Sequence, residues 1–178
     1  MSGGPSEEAL AQAARQLGQV LRGAGWRVAV AESSTGGLIG HSITMIPGSS
    51  DYFPGGVISY SNRAKEVELG VPASLMEQHG AVSAEVAEAM ADGVRQRFGT
   101  ELGLSVTGVA GPEGGSEGKP VGTHWIGVAL RGHPSRAEHR LFGHDREGNK
   151  AAAALAALEL ALAVVLAAAP DAVAPDAT

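Results

Sequence analysis

The chain has 178 residues, no cysteine and a net charge of −6 from 13 basic and 19 acidic side chains. That length suits one domain with a full core and no staples, and the missing cysteines exclude disulfides, thiolate zinc sites and cysteine nucleophiles. The deficit of positive charge argues against direct nucleic-acid binding, which rests on basic groups facing phosphates.

In chain order, MSGGPSEEAL has neither a basic start nor an apolar run, so no secretory leader is expected and the cytoplasm is the expected location. Ser6 is placed to cap a helix running to about Leu21, with Glu7 and Glu8 in its first turn and Leu10, Leu17, Val20 and Leu21 as its apolar stripe. Gly23 and Gly25 stop it. Residues 26–31 (WRVAVA) read as a buried strand, followed by the Glu32–Gly37 loop and a helix over Leu38 to about Ile46. Pro47-Gly48-Ser49-Ser50 is a turn cluster. Residues 56–60 (GVISY) form a second predicted strand, leading into a short helix capped by Ser61 or Asn62. Ser83 caps the next helix, with Val86, Met90 and Val94 on one face. Strand 102–107 runs into a glycine-rich loop, Gly108 to Pro120. Residues 121–130 and about 137–142 are predicted hairpin strands joined across Arg131-Gly132-His133-Pro134. This order predicts one α/β domain, a layered α/β/α sandwich with a mixed sheet and its core at about 6–169.

Residues 151–169 carry a single charge, Glu159, and are long enough to span a bilayer. Most are alanine, a strong helix former and a weak membrane inserter, and Leu155, Leu158, Leu162, Val165 and Leu166 recur at helical spacing. The expectation is a helix packed on the core, or on a second copy in a homodimer, without membrane association. The tail after Pro170 is expected to fray.

Three predicted strands end in small, polar, glycine-bearing loops. In Glu32-Ser33-Ser34-Thr35-Gly36-Gly37, a strand–turn–helix path can aim backbone N–H groups at a phosphate or an oxyanion, while the hydroxyls offer donors or a nucleophile. The same residues also suit an ordinary cap and turn. In Tyr60-Ser61-Asn62-Arg63-Ala64-Lys65, a buried lysine would serve as a base and a phenol as a proton relay; a solvated lysine is the plainer alternative. Thr107 to Pro120 is not a Walker loop, because Glu113 and Pro120 occupy positions that motif gives to glycine and Ser/Thr. Its glycines, Gly108 and Gly111 first among them, allow a ligand to approach the backbone. The six histidines form no ligand pair, so no metal site is expected. Arg146 offers forked donors to a phosphate or makes a surface ion pair.

Taken together, Ala31-Glu32-Ser33-Ser34-Thr35-Gly36-Gly37, Pro47-Gly48-Ser49-Ser50, Tyr60-Ser61-Asn62 with Lys65, His79-Gly80-Ala81-Val82-Ser83, Thr107-Gly108-Val109-Ala110-Gly111-Pro112 and Lys119-Pro120-Val121-Gly122-Thr123 follow one another in an order that closely resembles the CinA C-terminal domain family, typified by bacterial nicotinamide-nucleotide amidohydrolases. The resemblance spans roughly Ser6 to Ala169. It implies a metal- and cofactor-free enzyme of pyridine nucleotide salvage that hydrolyses the carboxamide of nicotinamide mononucleotide to nicotinate mononucleotide and ammonia. It further implies Ser33 as nucleophile and Lys65, assisted by Tyr60, as its base. Ser34, Thr35, Gly36, Gly37, Asn62, Thr107, Gly108, Gly111 and Arg146 would contact substrate, with oxyanion donors near Thr35–Gly37 or Gly108. The alternative within the same resemblance is a non-catalytic nucleotide-binding or interaction domain linked to competence and DNA-damage responses. Three positions depart from the family pattern: Ser34, often cysteine; His144, where glycine precedes Asp-Arg; and Lys150, where arginine is common.

Overall fold

The computed structural model describes residues 3–172. Helix α1 (Glu7–Ala24) starts at Ser6, whose hydroxyl accepts from Ala9 N–H, and ends at Gly25, whose positive φ of 66° suits a residue without Cβ. It is followed by β1 (Val28–Glu32), α2 (Leu38–Thr44), β2 (Gly55–Ile58), α3 (Asn62–Leu69), α4 (Ala73–His79) and α5 (Ala84–Phe98). The chain continues with β3 (Leu102–Gly108), β4 (Thr123–Leu130), β5 (Arg136–Leu141) and α6 (Arg146–Ala168). The strands form one sheet in the order β2-β1-β3-β4-β5. β1 is parallel to both its neighbours, whereas β3–β4 and β4–β5 are antiparallel. The predicted mixed sheet and α/β class are therefore observed.

Period-two alternation divides the sheet between two cores. Val28, Val30, Leu102, Leu104, Val106, Ile126 and Val128 face α1, α2 and α6. Ala29 and Ala31 face the other way, among Leu69, Met76, Val86, Met90 and Val94 of α3–α5. On that second face β3 and β4 carry Gly103 and Gly127, and a Cβ on either would lie within 2.2 Å of a carbonyl oxygen of α5. Ser105, paired with Gly127, donates to the Ala87 carbonyl at 2.6 Å. The small residues thus let α5 lie directly on the strands.

Two elements differ from the prediction. α4 was not predicted: it is seven residues long, and of these only Met76 is buried, so it has no stripe to read. α6 begins at Arg146 rather than Ala151, because Asp145 caps it by accepting from Gly148 N–H. Among the described residues α6 is the one helix long and apolar enough to cross a membrane. Its Ala153, Ala157, Leu158, Ala161 and Val165 are buried in the core shared with α1 and the sheet. The frayed tail is corrected for residues 170–172. They form a 3-10 turn with Ala172 buried, held close because Gly23 has no side chain: a Cβ there would meet the Ala172 oxygen. The remainder of that tail lies outside the described residues.

Candidate active site

Because β1, β2 and β3 run parallel, their carboxyl ends emerge on one edge of the sheet, where open α/β sheets place their ligands. Continuing the alternation along β1 sends Glu32 towards α2 and Ser33 towards α3. Ser33 N–H extends the pairing by one step, donating to Val106 O at 3.0 Å, before the chain turns. At the next strand exit Ser59 N–H donates to Glu32 O at 2.8 Å. Ser61 then caps α3 by accepting from Ala64 N–H at 3.1 Å, which puts Lys65 one turn into the helix. Side chains on a helix lean towards its N-terminus, so Lys65 reaches back to the strand ends.

The Lys65 amine lies 3.0 Å from Ser33 Oγ, 2.9 Å from Ser59 O and 3.4 Å from Tyr60 O. The residue is 2% exposed. All three partners are neutral oxygens, and burial lowers the amine from its ordinary 10.5 to about 8. A lysine that gives up its proton this readily, with a serine hydroxyl in contact, meets the geometric and protonic requirements of an activated nucleophile.

The first loop is closed to anions at several of the positions expected to hold one. Gly36 N–H donates to Ser33 O at 3.1 Å, and Gly37 N–H donates to a carboxylate oxygen of Glu32 at 3.0 Å. Those two groups are therefore unavailable as oxyanion donors. The Ser34 and Thr35 N–H groups make no hydrogen bond among the described residues. Ser34 Oγ and Thr35 Oγ1 are likewise buried and unpartnered among those residues.

Tyr60 is placed otherwise than expected. Alternation turns its side chain outward, 64% exposed, and its hydroxyl accepts from Arg146 at 3.2 Å rather than meeting Lys65. What Tyr60 offers Lys65 is its main-chain carbonyl. Arg146 also donates to Gly111 O at 2.6 Å, so its guanidinium bridges the Tyr60 exit and the third loop. Thr107 donates its hydroxyl to Ala81 O at 2.8 Å, tying β3 to the segment before α5. Gly108 lies against the buried His124 ring, where a Cβ would come within 2.2 Å of a ring carbon. Together Ser33, Ser34, Tyr60, Asn62, Lys65, Thr107, Gly108 and Arg146 line a cleft of about 280 Å³, with Ala81, Val82 and Ala110. A larger groove of about 630 Å³ shares Arg146 with it and has Thr35, Gly36, Gly37, His41 and Lys150 in its walls. The smaller cleft holds the lysine and serine.

Residues 10–165 match the model of the CinA C-terminal domain. The chain belongs to the CinA C-terminal domain family. It is 45% identical over 157 residues to a nicotinamide-nucleotide amidohydrolase PncC from Enterobacter agglomerans, a match covering 88% of this chain and 96% of that protein. It is 50% identical over 143 residues to a CinA-like protein of Salinibacter ruber, covering 80% of this chain and 34% of that protein. The chain thus spans about a third of the length of several curated relatives it matches. Among solved structures, competence/damage inducible protein CihA from Agrobacterium tumefaciens superposes with a TM-score of 0.85 at 35% identity, over 92% of this chain and 99% of that one.

In this CinA domain two polar side chains at the site escaped the sequence reading. Glu32 places its carboxylate on the Gly37, Ile39 and Gly40 N–H groups at 2.8–3.1 Å. Asn149, fully buried on α6, donates to Ala110 O at 3.0 Å and accepts from His144 N–H at 3.1 Å, pinning the third loop. The available signal was an unfilled cap: Gly37 precedes α2 and has no side chain to cap it, so the anchor had to come from elsewhere.

Proposed function

We propose that this chain hydrolyses the carboxamide of nicotinamide mononucleotide to nicotinate mononucleotide and ammonia, in pyridine nucleotide salvage in the cytoplasm. The observation that carries the proposal is the 3.0 Å contact between Ser33 Oγ and a buried lysine that deprotonates near pH 8. The relative named for this activity, matched nearly end to end, supports the choice of substrate.

In the proposed sequence the neutral Lys65 amine takes the Ser33 proton as Oγ attacks the carboxamide carbon. The oxygen becomes an anion, stabilised by the unpartnered Ser34 and Thr35 N–H groups; one such donor supplies about 3 kcal/mol of transition-state stabilisation. Lys65 then passes its proton to the departing nitrogen, which leaves as ammonia. Water, deprotonated by the same amine, attacks the acyl-serine, releases the carboxylate and restores Ser33. The nicotinamide ring lies in the cleft lined by Thr107 and Gly108. The ribose phosphate extends towards the larger groove, where Arg146 and Lys150 carry positive charge.

The test is ammonia release from the mononucleotide by the wild-type protein and by Ser33→Ala. The variant is expected to lose about a thousandfold or more in turnover. Near-normal turnover of folded Ser33→Ala would remove serine as the nucleophile. Nicotinamide riboside is expected to be a much poorer substrate, and equal kcat/KM for the two would remove Arg146 and Lys150 as phosphate partners.

A further inference from the structure

We infer that Glu32 is a positioning residue of this site: its carboxylate holds the bend that presents Ser33 to Lys65 and keeps the Ser34 and Thr35 N–H groups turned to the substrate. The inference rests on the proposed amidohydrolase reading for its catalytic consequence, though not for its geometry.

Four observations carry it. First, Glu32 is 2% exposed, and a carboxylate that deep is costly unless its oxygens are well hydrogen-bonded. Here both are engaged: Oε2 accepts from Gly37 and Ile39 N–H, and Oε1 from Gly40 N–H. Second, the arrangement is not the routine way this chain starts a helix. α1, α3, α5 and α6 are capped by the residue just before them, namely Ser6, Ser61, Ser83 and Asp145. α2, the helix that follows the candidate nucleophile, is anchored from the preceding strand. Third, the anchor spans the bend itself. With Gly36 N–H on Ser33 O and Leu38 N–H on Thr35 O, the donors from Gly36 to Gly40 are all consumed internally. The two donors ahead of them, on Ser34 and Thr35, are left without a partner among the described residues. Fourth, the backbone of the same residue holds the other half of the pair. Glu32 O accepts from Ser59 N–H, and Ser59 O accepts from the Lys65 amine. One residue therefore ties together the turn carrying the hydroxyl and the strand exit that seats the amine.

The carboxylate acts as an acceptor at both oxygens, which glutamine cannot reproduce: its amide would set an N–H against an N–H. In Glu32→Gln the bend loses at least one tether, and misplacing reacting groups by about 1 Å costs about 100-fold. The expected result is a kcat for the mononucleotide lower by about 100-fold with KM within about threefold, because ground-state contacts elsewhere are untouched. The alkaline rise of the rate keeps its midpoint, since Lys65 retains its burial. Amide hydrogen exchange at Gly37, Ile39 and Gly40 accelerates. Glu32→Asp, one methylene short, is the second variant and gives an intermediate loss if Glu32→Gln does not fold. A role confined to stability would lower Tm yet leave kcat per folded molecule unchanged in the variant that folds; that result overturns the inference, as does an effect on KM alone. Phenylmethanesulfonyl fluoride supplies a readout independent of the substrate: Ser33 Oγ bonds to sulfur, fluoride leaves and the proton passes to Lys65. If the wild type labels at Ser33 but releases no ammonia, the substrate assignment fails while the inference stands on labelling, expected to slow by about 100-fold in Glu32→Gln. Equal labelling rates overturn it.

Discussion

Lys65 sits at the end of a flexible stem, yet it is held by three oxygens and closed off from water. None of those oxygens carries a charge to offset the ammonium, so its proton is released at about 8 instead of 10.5. Two consequences follow with definite signs. In the proposed mechanism the neutral amine is the active form, so kcat/KM should rise with pH through about 8 and level off above it. In the unfolded chain the amine keeps its proton up to 10.5, so between 8 and 10.5 the unfolded state binds more protons and folding stability rises with pH. Urea titrations of wild type and Lys65→Met should therefore diverge in favour of wild type across that interval, and a pH-independent difference would contradict the burial argument. Lys65→Met should also lose about 10²–10⁴-fold in turnover, the usual range for a general base. The contact between Ser33 and Lys65 fits the sequence reading, in which each follows a strand exit at a spacing the family resemblance also marks. The place of Tyr60 in the cleft lining was legible, but not the direction of its phenol, which alternation at the strand exit turns to Arg146. Glu32 escaped because its three partners lie five to eight positions downstream, beyond the reach of any local capping pattern.

At the scale of elements, the second core depends on glycines that bring helices onto strands. A Cβ at Gly103 would lie 2.1 Å from the Ala91 oxygen, and one at Gly127 2.2 Å from the Ala87 oxygen. Both obstacles are backbone, so neither can swing aside, and α5 would have to lift away from β3 and β4. Gly103→Ala and Gly127→Ala are each expected to cost about 1–3 kcal/mol, at about 2–4 °C of Tm per kcal/mol for a domain of this size. Differential scanning calorimetry checks this, and an unchanged Tm would mean that α5 tolerates the shift. Helices with a serine cap and an apolar stripe, such as α1 and α5, were readable from sequence. α4 was not, because its burial rests on one methionine. The first turn of α6 was hidden by its polar Arg-Glu-Gly-Asn composition, although Asp145 stands in cap position ahead of it.

Across the whole molecule, the alternation of helices and strands foretold the α/β class and the late hairpin. The order β2-β1-β3-β4-β5 was not written in any one segment, since it depends on which strands find each other across long crossovers. On α6, alanines 153, 157 and 161 are buried in the core shared with α1. Ala157→Leu is expected to destabilise by about 1–3 kcal/mol, seen as a lower urea midpoint with an unchanged slope. The seat of Lys65 is built from two neighbouring strand exits, the hydroxyl leaving β1 and the carbonyl leaving β2. A slip of β2 along β1 by a single residue would carry Ser59 about 3.3 Å out of reach and turn it to the opposite face. The sheet therefore acts as a ruler for the chemistry, and a chain that pairs its edge strand one notch off would be folded, compact and mute.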